Sequence, residues 1–130
     1  MNRVLVDTSI WISFFKGDKS AKPLISMIES NIICTNELIL AELIPSLEHR
    51  KEDYLINLLQ HVELQNLNIN WNEIIAMQAE NLSNGINRVG LPDLIIAQNA
   101  IQNDSLLFTL DKHFFLMSEI LNLKLYQQSS

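Results

Sequence analysis

Asp7, Glu42, Asp93 and Asp111 are the residues whose surroundings in the sequence suggest chemistry. Asp7 directly follows the apolar run Val4-Leu5-Val6, and Asp111 follows Leu106-Leu107-Phe108-Thr109-Leu110. Asp93 lies in Leu91-Pro92-Asp93-Leu94-Ile95-Ile96-Ala97, where proline marks a first helical turn. Glu42 sits in an almost unbroken apolar block from Leu38 to Ile44. A carboxylate on a helix that is apolar nearly all round loses hydration and needs a cation or donors. Each acid also has a plain structural use. Asp is a favoured helix N-cap, which fits Asp7 and Asp111, and the helix macrodipole favours a carboxylate at the position of Asp93 by ~0.3–1 kcal/mol at exposed sites. Glu42 also fits a narrow polar stripe shared with Glu37 or Asn36. As a set the acids fit less blandly. Gathered at one place, the four carboxylates carry a formal charge of −4 and require counter-charge. Mg²⁺ or Mn²⁺, one or two ions, suits an all-oxygen site, and a pair of such ions activates a water and stabilises the leaving oxygen of a phosphodiester.

The elements around these acids predict how they meet. Short β-branched or apolar runs at residues 3–6, 31–35 and 105–110 read as buried strands, with a further strand within 62–69 and a last short one at 123–126. Helical spacing covers 9–15, 22–30, 36–49 (bent near Pro45), 52–60, 71–83, 92–103 and 112–121. Strands alternate with helices and read as continuous apolar runs, which predicts an α/β fold with a central parallel sheet flanked by helices on both faces. Ligands in such sheets bind outside the carboxyl ends of the strands, where Asp7 and Asp111 fall.

Composition sets the outer limits. The 130 residues suit one domain, 1–130, and 48% are apolar, too many for a disordered chain. The formal charge is −6, from 9 Lys and Arg against 15 Asp and Glu, which excludes a protein that coats nucleic acid by bulk electrostatics. A single cysteine, Cys34, forms no intrachain disulfide and suits a reducing, cytoplasmic compartment. The apolar start of the chain is interrupted by Asp7-Thr8-Ser9 with no small-residue cleavage site, and no run approaches a membrane span. Hence the sequence predicts neither a signal peptide nor a membrane partner.

In order and approximate spacing, Val4-Leu5-Val6-Asp7-Thr8-Ser9, Glu42 within an Ala-Glu-Leu helix, Pro92-Asp93-Leu94-Ile95-Ile96-Ala97 and Phe108-Thr109-Leu110-Asp111-Lys112-His113-Phe114 resemble PIN-domain ribonucleases. Length and near-complete coverage resemble the small VapC-type toxins of type II toxin–antitoxin systems. No single motif is specific; the ordered set carries the resemblance. It implies that Asp7, Glu42, Asp93 and Asp111 are catalytic and bind Mg²⁺ or Mn²⁺. It implies metal-dependent endonucleolytic cleavage of RNA by water without a covalent enzyme intermediate. Ser9 and Thr109 stand at positions whose hydroxyls, in such families, order the carboxylates or a metal-bound water; helix capping and strand propensity are their plainer uses. The resemblance further implies a cognate antitoxin protein, homodimers, and contact with operator DNA only through the antitoxin.

Other residues have ordinary roles that account for them. Lys16, Arg88 and Lys112 are candidates for RNA phosphate contact, Lys16 within a basic patch with Lys19 and Lys22, although solvated charge explains all of them. His113 stands two residues from Asp111 and reads as a surface histidine. His49 and His61 have no ligand-spaced partners, and Asp104 reads as a turn residue. Glu37 reads as surface helix, with an outer place in the acidic cluster as its other use, and Trp11, Phe14 and Phe15 as core with an exposed remainder free for a partner. Two rival functions remain. An aspartyl-phosphate enzyme also places acids after parallel strands, but the phosphohydrolase version wants a second Asp two residues after the first, where Ser9 stands, and the receiver version wants paired acids and a lysine after the last strand. A PIN-fold protein acting as a non-catalytic protein- or RNA-binding module would have no need of four intact acids.

Overall fold

A computed structural model describes residues 3–127. Its elements run β1 (Val4–Val6), α1 (Thr8–Phe15), a 3₁₀ turn at Lys19–Ala21, α2 (Pro23–Glu29), β2 (Ile33–Thr35), α3 (Glu37–His49), α4 (Asp53–Gln60), β3 (Glu63–Leu64), α5 (Trp71–Ser83), α6 (Leu91–Gln102), β4 (Leu106–Phe108) and α7 (Lys112–Ser118). The sheet order is β3-β2-β1-β4 and every pairing is parallel. All three residues of β1 and all three of β2 are buried. Successive side chains of a strand point to opposite faces, so both faces of the sheet centre are covered. This is the predicted α/β arrangement.

Two expected strands shrink. The expected strand within 62–69 is only Glu63–Leu64, because the chain beyond it is held by side-chain amides rather than by the ladder. The expected final strand is a single bridge, Leu107 with Leu125, made by Leu107 N–H on Lys124 O and Tyr126 N–H on Leu107 O, each at 2.9 Å. Helix α3 continues through Pro45 as one element.

Register positions the site. Val6 pairs with Phe108, so Asp7 and Thr109 leave β1 and β4 side by side, and Asp7 N–H still bonds Phe108 O at 2.9 Å. Leu5 pairs with Cys34, so Asn36 leaves β2 at the same level. Asn36 caps α3 by accepting from Ile39 N–H at 2.9 Å, which starts that helix beside the same sheet edge. Trp11 is fully buried, with Phe14 and Phe15 half-buried against it at ring separations near 6.0 Å. Burial pushes the Cys34 thiol up to about 11, so it stays a neutral core group.

Candidate functional site

Asp7 is the most buried of the four acids, at 5% exposure. Its Oδ2 accepts from Ser9 Oγ at 2.7 Å, from Thr109 Oγ1 at 2.8 Å and from Ser9 N–H at 3.4 Å. The two hydroxyls also accept: Ser9 Oγ from Leu110 N–H and Thr109 Oγ1 from Asp111 N–H, each at 3.0 Å. Both hydroxyl protons are thus committed to Asp7, and the 3.4 Å approach of the two oxygens is a consequence of that shared acceptor. A chain of hydrogen bonds runs from the loop before α7, through two hydroxyls, to one carboxylate oxygen. Every such bond ends on Oδ2, which leaves Oδ1 available to a ligand.

Asp111 caps α7, taking His113 N–H on Oδ1 at 2.9 Å. The cap reading and the site reading therefore hold together for both Asp7 and Asp111, because capping occupies one oxygen of each.

Asp93 differs. It lies in the first turn of α6, whose cap residue is Gly90 with no side chain to offer. Among the described residues the Asp93 carboxylate has no hydrogen-bond or ion-pair partner, yet it is half-buried. Its carboxyl is pushed up to about 6, first by burial, then by the charges of Asp111 and Asp7, with His113 opposing and Glu42 adding a little. Those contributions mean that the other three acids are near enough to act on it.

Glu42 corrects an expectation. Helix α3 buries only the stripe Ile39, Leu43 and Leu47, so Glu42 is exposed rather than desolvated. The apolar block misleads because Leu38, Leu40 and Ile44 are only partly buried at the margins of that stripe. Glu42 is directed instead by Thr8, whose Oγ1 donates to Glu42 Oε1 at 2.8 Å and ties α3 to the first residue of α1. Nothing in the sequence marks Thr8 as functional except its place beside Asp7.

His113, expected at the surface, is partly exposed and also lies beside the acids. Its Nδ1 lies 3.3 Å from Asp111 Oδ1, and one ligand atom each from Asp93, Asp111 and His113 fall within 4.8 Å of one another. Lys112 is exposed at the start of α7, next to Asp111, and Arg88 is exposed on the loop before α6 with a left-handed φ of 69°. Lys16 stands beyond the far end of α1, roughly 13 Å from Asp7 along the helix, so it lies away from the acids. Glu37 accepts Leu67 N–H at 3.0 Å and serves the loop after β3 rather than the acids. Asp104 pairs with Lys124, in keeping with a turn residue.

The donors are carboxylate oxygens with one imidazole beside them, which fits a hard divalent cation. A half-buried carboxylate without a donor, pressed by three like charges, is what such a cation would relieve. No helix among the described residues is long and apolar enough to cross a membrane.

The family model described as PIN domain matches residues 4–119. No curated protein matches the chain in sequence. Among solved structures the chain is similar to VapBC2 from Rickettsia felis, bound to a DNA fragment from its promoter, at 22% identity and a TM-score of 0.74, covering 97% of this chain and 98% of that one. It is also similar to DNA-bound VapBC from Salmonella typhimurium, at 17% identity and a TM-score of 0.73 with 97% and 98% covered. VapBC-1 from nontypeable Haemophilus influenzae follows at 22% identity and a TM-score of 0.66, with 95% and 96% covered. At these identities the likeness is one of fold.

Proposed function

The chain belongs to the PIN-domain family, and from that premise we propose that it is a metal-dependent endoribonuclease, the VapC-type toxin of a toxin–antitoxin pair. The observation that carries this reading is Asp93: a half-buried carboxyl raised to about 6, with burial, Asp111, Asp7 and Glu42 all acting on it and no hydrogen-bond partner among the described residues. A structural ion pair with a Lys or Arg would have lowered this carboxyl; here only His113 opposes the rise, and burial and three like charges outweigh it.

In this reading residues 1–130 act as one catalytic domain, and Asp7, Glu42, Asp93 and Asp111 hold Mg²⁺ or Mn²⁺. When bound, the metal supplies an activated water and stabilises charge on the scissile phosphate and its leaving oxygen. Asp7 presents Oδ1, because Ser9 and Thr109 fix its other oxygen. Asp111 presents Oδ2 in the same way, its Oδ1 being held by the cap of α7. Thr8 sets the direction of Glu42. These fixed carboxylates spare the site a reorganisation cost at the moment of reaction. Lys112 and Arg88 are the exposed cations to meet RNA phosphates near the acids.

The solved neighbours were crystallised as VapBC, two of them on DNA. By that analogy we assign this chain a cognate antitoxin, with operator DNA reached only through it; the homodimeric state and the cytoplasmic place of action that the family resemblance implies belong to the same proposal. Exposed apolar side chains are available for such contacts: Ile12 on α1, Phe115 and Leu116 on α7, and Trp71 and Ile75 on α5.

The purified protein is expected to cleave RNA with Mg²⁺ or Mn²⁺, to stop with chelator, and to lose activity as Asp7→Asn. Cleavage that survives chelation, or an Asp7→Asn protein as active as the parent, overturns the proposal. Wild-type protein that binds RNA and never cuts it would favour the non-catalytic module.

A further inference from the structure

We propose that His113 is a ligand of the metal centre and sets its preference for Mn²⁺ over Mg²⁺. This rests on the four-acid site proposed above and adds a fifth side chain to it. Three observations converge. One ligand atom from each of Asp93, Asp111 and His113 falls within 4.8 Å of the others. Donors about 2.1 Å from one ion are separated by at most about 4.2 Å, so small side-chain adjustments bring the three onto a single cation. The ring is also held in place. His113 N–H bonds Asp111 Oδ1 at 2.9 Å, and the ring Nδ1 lies 3.3 Å from that same oxygen. The first contact comes from the backbone of His113 and the second from one ring nitrogen; both fall on the same oxygen of Asp111, which leaves Oδ2 and the other ring nitrogen without a protein partner among the described residues. Finally, Asp93 has no donor among the described residues, so a cation shared with His113 would meet its unsatisfied carboxylate.

The chemical consequence is selectivity. Carboxylate oxygens alone suit Mg²⁺ and Mn²⁺ alike, whereas a neutral imidazole is a poor partner for Mg²⁺ and a better one for transition metals. A centre of carboxylates with one ring nitrogen therefore favours Mn²⁺. A His113 that merely paired with Asp111 would stabilise that carboxylate without discriminating between ions.

Pulsed electron paramagnetic resonance on the full chain with Mn²⁺ alone separates these roles. Wild-type protein is expected to show nitrogen coupling from a directly bound imidazole, and His113→Gln to lose it. Calorimetric titration should then show Mn²⁺ affinity falling tenfold or more in His113→Gln, with Mg²⁺ affinity changing less than threefold. Bound Mn²⁺ without nitrogen coupling in the wild type overturns the proposal, as does coupling that persists in the variant or an equal loss for both ions. If His113→Gln does not fold by circular dichroism, the wild-type spectrum decides alone whether nitrogen is bound, with His113→Asn as the second variant. Asp93→Asn distinguishes the two layers: Mn²⁺ that binds neither wild type nor variant, or binds both equally, defeats the four-acid site itself and His113 with it.

Discussion

Two polar clusters lie against the same sheet and are satisfied in opposite ways. One is a set of amides: Asn36, Gln65, Gln98 and Asn99. Asn99 Oδ1 accepts from Asn36 Nδ2 at 3.0 Å and from Gln65 Nε2 at 3.1 Å, while its Nδ2 donates to Asn66 O at 3.1 Å. Gln65 Oε1 accepts from Ser105 Oγ at 2.7 Å. Gln98 Nε2 donates to Asn70 O and to Glu73 Oε1, and its Oε1 takes Asn70 N–H. Donors and acceptors match, and the network fixes the start of α3, the loop after β3 and α6 against one another. The other cluster is the four acids, where Asp93 has no donor among the described residues and like charges face it. A buried polar group costs little when paired and much when not. The amide network is thus what structure alone requires, and the acid cluster is what it does not.

The comparison breaks if the two clusters respond alike to mutation. Asp93→Asn should lower RNA cleavage by ~10³-fold, since losing a metal-bound transition-state contact costs several kcal/mol. The same change should raise the melting temperature of the metal-free protein at pH 7, because it removes a charge that three neighbours oppose. Cleavage assays paired with thermal melts in chelator test both halves; a variant both inactive and less stable would make Asp93 a structural residue.

Asn99→Ala should do the reverse. It strands the Asn36 amide nitrogen and the Asn66 carbonyl and takes one of the two acceptors from Gln65 Nε2, and leaving such buried groups unpaired costs roughly 1–3 kcal/mol. Urea unfolding should show that loss, while protein that remains folded keeps most of its cleavage rate. An unchanged midpoint would mean that water replaces the amide.

The two clusters also differ in how far they could be read from sequence. The strand-end acids were legible because a parallel sheet forces whatever follows its strands to one edge, and Val6 pairing with Phe108 bears that out for Asp7 and Thr109. Ser9 and Thr109 were legible through the resemblance, each within two residues of an acid. Glu42 was placed beside the site for a reason the structure does not support: exposure and a hydrogen bond from Thr8 hold it there, not desolvation. The amide network was invisible, since Asn36 and Asn99 are separated by 63 positions and nothing local distinguishes a bridging amide from a cap or a turn. The place of His113 beside the acids was hidden for a similar reason. Its neighbour Asp93 stands on a different helix, within 4.8 Å by their ligand atoms, and spacing along one helix carries no information about the next.

Acidity offers a finer test. The Asp93 carboxyl is raised from 3.8 to about 6 in the folded protein. Below pH ~4 it is protonated in both states and contributes nothing. As pH rises, the unfolded chain ionises first while the folded chain retains its proton, so the contribution of Asp93 to stability falls until about pH 6 and is level above it. Melts of metal-free protein should show this decline, and Asp93→Asn should flatten it by a few degrees. Saturating Mn²⁺ at pH 7 should raise the wild-type melting temperature. A pH profile identical in wild type and variant would remove Asp93 from the centre of the electrostatic strain.

Thr8 lies at the boundary between the two behaviours, and its replacement should have the smallest effect. Thr8→Val keeps the shape of the side chain and deletes only the hydroxyl that donates to Glu42 Oε1 at 2.8 Å. Glu42 is exposed, so water takes the place of that donor and stability should change by no more than ~0.5 kcal/mol. What water cannot replace is direction. Glu42 is carried by α3, and Thr8 is its hydrogen-bonded link to α1 beside Asp7. Freed from it, the carboxylate samples rotamers pointing away from the other three acids, and a binding metal has to restrict them again. The expected result is a Mn²⁺ affinity several-fold weaker, measured by calorimetry, with an unchanged urea midpoint and recovery of affinity in Thr8→Ser. If Thr8→Val binds Mn²⁺ as tightly as the parent, Glu42 either does not ligate or needs no guidance. Glu42→Gln then separates those outcomes, because a ligand loses affinity on that change and a bystander does not.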